Sequence, residues 1–136
     1  MKKVCVFASV MVSLVIIGWC SFAAAQCAGS EDMKKVMGSM KTVTTALVDA
    51  DQKLGEKKPD SKEIKPFQAN AAKLGMLNRQ LFTMLSDKMC KQVAGKLNKG
   101  VSDLRKNAEK KDSNGMHDGI SQIRATCSEC HGCAGL

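Results

Sequence analysis

Cys127-Ser128-Glu129-Cys130-His131 gathers two thiols and one imidazole into five residues near the end of the chain. On a helix, residues three and four apart share a face, so the two thiols and the ring of this run point the same way. Two thiols at that spacing can close thioethers to the two vinyl groups of one porphyrin. The imidazole that follows can then bind the iron from beneath. C-x-x-C-H is the attachment signature of a c-type haem, with Cys127 and Cys130 as the thioether residues and His131 as an axial ligand.

Three other chemistries use the same residue types. A closed zinc site needs four ligands, and Cys127, Cys130, His131 and Cys133 would supply four, crowded into seven residues rather than set in two separated pairs. A thioredoxin-like redox pair belongs in a βαβ context, which this sequence lacks. An ordinary disulfide is the third. The order of the motif favours one covalent haem c.

The compartment agrees. Residues 1–25 read as a secretory signal peptide, cleaved near Ala25: Lys2 and Lys3 lead, Val10 to Trp19 is mostly apolar, and Ala23-Ala24-Ala25 offers the small-residue cleavage site. Trp19 stands where a lipid-attachment motif needs a small residue, so Cys20 is not read as an anchor. Residues 26–136 form one domain, expected in the periplasm with no stable membrane insertion after cleavage. Cys27, Cys90, Cys127, Cys130 and Cys133 then meet an oxidising environment. Haem takes two of them. The other three leave one disulfide and an odd thiol, or a homodimer linked through one of them.

Cleavage removes Lys2 and Lys3 and takes the formal charge from +8 to +6. That surplus either steers acidic redox partners or anionic surfaces, or simply solubilises outer helix faces. Nucleic acid is not expected of an exported chain with no basic motif and no aromatic platform. Phe67 and Phe82 are the only aromatics after residue 25, so the core is built of Leu, Val, Met and Ala.

Four helices must carry the motif. Ser30 caps the first, with Glu31 and Asp32 in its opening turn and Met33, Met37, Met40, Val43, Leu47, Ala50 and Leu54 as its stripe. Gly55 ends it. The second runs from about Ser61 to Leu85 with Phe67, Ala71, Leu74, Leu77, Leu81 and Met84 inward, and either begins or bends at Pro66. The third runs from near Asp87 to Lys110 on Val93, Leu97, Val101, Leu104 and Ala108. Asp112-Ser113-Asn114-Gly115 reads as a turn. The fourth begins near Met116, turns Ile120 and Ile123 inward and delivers the motif. Short connections predict an all-α, antiparallel up-down-up-down four-helix bundle with haem near the end of the last helix. Cys27, Cys90 and Cys133 then share one pole.

An exported four-helix chain with C-x-x-C-H on its last helix resembles the class II c-type cytochromes, cytochrome c′ and its low-spin relatives. Leu104 to His131 carries most of the likeness. Where that family commonly has an aromatic-arginine pair after the histidine, this chain has Gly132-Cys133-Ala134-Gly135-Leu136. It also lacks the arginine often found one turn before the distal position on the first helix; Arg79, Arg105 and Arg124 are its only arginines.

The resemblance implies dependence on the c-type maturation machinery and a function set by the group opposite His131. A methionine there gives a low-spin carrier of single electrons between redox partner proteins, some of them acidic. A non-ligating residue gives an open iron that binds nitric oxide or carbon monoxide. Met40 falls where the family places its distal residue, with Met33 and Met37 as alternates, although methionine stripes also serve as core filler. His117 is no partner for His131 on one iron, since fourteen helical positions span about 21 Å. No serine–histidine–aspartate or paired-carboxylate constellation accompanies the motif, so no enzyme is expected.

Overall fold

The computed structural model describes residues 31–55 and 58–134, with side chains to residue 132. The expected signal peptide, the Ser30 cap, Cys27 and the Cys133 side chain lie outside that description. Four helices account for nearly all of the rest: α1 (Glu31–Lys53), α2 (Ser61–Met84), α3 (Lys88–Lys110) and α4 (Ser113–Ala134). No described helix is long and apolar enough to cross a membrane.

Local chemistry sets the boundaries. Asp60 caps α2 with a full capping box: its Oδ1 accepts from the backbone N–H of Lys62 at 2.7 Å and Glu63 at 2.8 Å, while Glu63 Oε2 accepts from the Asp60 N–H. Such a cap is worth about 1 kcal/mol. It starts the helix at Ser61, so Pro66 lies inside α2 and does not mark its beginning. Asp87 caps α3 by accepting the Cys90 N–H at 2.9 Å, and that bond holds its carboxyl below the usual range.

The corner between α3 and α4 departs from expectation. Lys111 takes the left-handed conformation at φ 58°, and the Asp112 N–H reaches back to the Asn107 carbonyl at 2.9 Å. Asp112 Oδ1 then accepts the Gly115 N–H at 3.1 Å, and its carbonyl accepts from Met116. The run read as a turn is thus a cap followed by the first turn of α4, which starts at Ser113. A Cβ at Gly115 would meet Asp112 Oδ2 at 2.6 Å and Asn107 Nδ2 at 2.7 Å, so a larger residue would displace the two side chains that hold that corner.

The helices form an antiparallel ring in which α1 packs on α2, α2 on α3, α3 on α4, and α4 closes back on α1. This is the expected up-down-up-down bundle. Leu47, Phe67, Leu74, Leu81, Leu97, Leu104, Met116, Ile120 and Ile123 fill its centre. Val36, Ile64 and Met116 join the expected stripes, and buried Asn78 donates to the Ala94 carbonyl at 2.8 Å. Ala50, Leu77 and Met84 are only partly buried.

The seams differ in closeness, and small residues are the reason. A Cβ at Gly119 of α4 would stand 3.3 Å from the Cα of Leu104, so these two backbones nearly touch. The α3–α4 seam is the most extensive of the four and α1–α4 the slightest. On α1, methionine and threonine hold the neighbouring helix off, and Gly38 has nothing near it. Hydrogen exchange checks this ranking: amides of α1 should open at lower free energy than those of α3, and equal protection would refute it.

Candidate functional site

The gap left by the slight α1–α4 seam is a cavity of about 290 Å³. That is close to the lower bound, about 300 Å³, of pockets that take organic ligands. From α4 it is lined by Arg124, Cys127, Cys130 and His131, and from α1 by Met37, Met40, Lys41, Thr44, Thr45 and Val48. The whole C-x-x-C-H triplet therefore faces two methionines across one space.

Helical spacing explains each wall. Cys127, Cys130 and His131 come to the cavity because they lie at i, i+3 and i+4, and their burial grades outward. Cys130 is buried at 4% exposure, Cys127 is half-buried against the core, and His131 is exposed. On α1, Met37, Met40 or Lys41, Thr44 or Thr45, and Val48 repeat at three and four steps. This stripe runs beside the core stripe of Val36, Val43 and Leu47. Met37 and Met40 belong to both. Met33 packs partly buried on the core and does not line the cavity.

Thr44 Oγ1 lies 4.0 Å from Cys127 Sγ, a polar link across the cavity. Burial pushes the Cys127 thiol above its ordinary value, and the Thr44 contact opposes that rise. A thiol held protonated is a poor nucleophile, unlike the lowered cysteine of a redox-active pair. Among the described residues no three His, Cys, Asp or Glu side chains gather tightly enough to hold a metal ion. The fourth ligand that a zinc site would draw from this run, Cys133, has its side chain outside the description.

The residues do fit a c-type haem. One wall offers two thiols and an imidazole in attachment order, and the facing wall offers thioether sulfur. Apolar side chains lie between, and the seam that must widen is the weakest in the bundle. At the far end of that seam His117 Nδ1 faces Asp51 Oδ1, and Ser113 Oγ donates to the Gly55 carbonyl at 3.0 Å. His117 is thus engaged well away from the cavity.

Cys90 is buried at the start of α3, at the pole where α4 ends. That agrees with the expected placement of one of the three remaining cysteines. Sequence reasoning gave no role to Lys41, Thr44, Thr45, Val48 or Arg124. The polar stripe at helical spacing beside the methionines was the available signal.

No family model, curated protein or solved structure matches the chain.

Proposed function

We propose that this chain is a periplasmic monohaem c-type cytochrome that carries single electrons between redox partners. The observation that carries the reading is the α1–α4 cavity, where Cys127, Cys130 and His131 confront Met37 and Met40. Haem bound there supplies a one-electron ferric/ferrous couple.

The chain's own residues do the rest. Cys127 and Cys130 tether the macrocycle to α4 as thioethers, so the group survives dilution and exchange of partners. His131 would hold the iron from the α4 side. Met40, from the facing wall, would supply the second ligand to the iron, and its thioether would favour the ferrous state relative to harder donors. Thr44, Thr45 and Val48 complete the α1 wall and limit the access of water. His131 and Lys41 are exposed, which puts one edge of the site within reach of a partner surface. A net positive chain suits an acidic partner.

Expression in a host with c-type maturation tests the reading. We expect one haem mass added to a polypeptide beginning at Gln26, resistant to acid–acetone extraction. Replacing Cys127 and Cys130 together with Ala should leave no covalent haem. A colourless wild-type protein carrying zinc would overturn it.

A further inference from the structure

Lys41 and Arg124 are the two cations of the cavity wall, one on each of the helices that flank it. Both are exposed although both line the cavity. Long cationic side chains do this when an apolar stem lies along a wall and the charged head reaches for solvent at the mouth. Among the described residues no carboxylate pairs with either one: the ion pairs are Lys96–Glu129, Lys99–Asp103 and His117–Asp51. Two cations without a carboxylate partner among the described residues therefore stand on the two helices that flank the opening.

We propose that Lys41 and Arg124 hold the two carboxylates of the ligand in this cavity, which on the haem reading above are the porphyrin propionates. The tether decides which edge meets them. Were the vinyl edge fixed to Cys127 and Cys130 on α4, the propionate edge would be the opposite one, and solvation of two carboxylates would favour its facing the mouth. There a guanidinium from α4 and an ammonium from α1 can each take one. Charge-assisted hydrogen bonds of this kind are about twice as strong as neutral ones, and a guanidinium can bind a carboxylate with two at once. The pair acts as a positioning device: it closes α1 onto the ligand through the slightest seam and sets the electrostatic field at the iron. This deepens the proposed function and rests on it.

The test is the midpoint potential of the haem-loaded double variant Lys41→Gln/Arg124→Gln. Removing two positive charges beside ionised carboxylates leaves their negative charge uncompensated, and that favours ferric iron. We expect the ferrous-to-ferric ratio at fixed ambient potential to fall about tenfold, a drop of about 59 mV for a one-electron couple. The charge-keeping variant Lys41→Arg/Arg124→Lys should stay near wild type. Arg79→Gln/Lys110→Gln, with the same change in net charge at positions that do not line the cavity, should shift far less because solvent ions screen it over about 8 Å. Equal shifts in the cavity and control variants, or none in the cavity variant, would overturn the assignment while leaving the haem reading intact. A chain that acquires no covalent haem would sink both, and mass spectrometry tells these failures apart.

Discussion

In the haem-loaded protein, Met40→Ala should convert a low-spin spectrum to a high-spin one and open the iron to rapid carbon monoxide binding. Met40 is 5% exposed and lines the cavity from α1, across from the α4 wall that carries His131. Losing a thioether ligand also removes stabilisation of the ferrous state, so the potential should fall. Met37 is the comparison, since it is equally buried and lines the same space. Met37→Ala should leave the spin state alone and cost about 2–5 kcal/mol in packing. Met33→Ala, outside the cavity wall, should change neither spectrum nor carbon monoxide rate. If Met37→Ala changes the spin state and Met40→Ala does not, the ligand is Met37. A wild-type protein already high-spin and quick to bind carbon monoxide would instead make the chain a gas-binding haem protein.

The second large effect lies in the core. Phe67 is 1% exposed and is the largest fully buried side chain, in a bundle otherwise filled by aliphatic residues and methionine. Phe67→Ala removes the only buried ring among the described residues and leaves a void that the rigid helices cannot fill, so it should cost about 3–5 kcal/mol. Against a typical total of about 5–15 kcal/mol, that is a large share of the stability. At about 4–8 °C per kcal/mol for a domain near this size, the melting temperature should fall by well over 10 °C. Phe82 supplies the contrast, being 40% exposed with the Lys91 ammonium 5.8 Å from its ring centroid. Phe82→Ala should cost about 0.5–1 kcal/mol, the worth of an exposed cation–π contact. Denaturant midpoints of the two variants check the pair, and equal losses would contradict the burial pattern.

Much of this architecture was legible in the residues because its determinants are local. Apolar positions at three- and four-residue steps mark α1 and α3 almost to their ends, and Asp87 stands where α3 was expected to begin, whereas the start of α2 stayed open at Pro66 until the Asp60 cap decided it. The failures are local ambiguities or properties of pairs of helices. Asp112-Ser113-Asn114-Gly115 has the composition of a turn and of a helix cap alike, and only the Gly115 N–H to Asp112 bond decides between them. Gly100 looks like a weak point in α3, yet it is buried, and a Cβ there would stand 3.3 Å from Ile123 of α4. Asn78 had no place in the apolar stripe of α2, because the Ala94 carbonyl that it donates to belongs to the next helix. The motif on α4 was plain in sequence. Met37 and Met40 were expected opposite it, whereas Lys41 and Thr44 were not, since their meeting with Arg124 and Cys127 depends on how two helices distant in the chain align.

The far-pole contacts, Asp51 with His117 and Ser113 with Gly55, make the α1–α4 seam a wedge hinged at one end. The α3–α4 pair, the most extensively packed in the bundle, holds Cys127, Cys130 and His131, while Met37 and Met40 stand on α1 across the slightest seam. On the proposed reading, a flat group in the cavity would bear on a firm wall on one side and on the more loosely joined helix on the other.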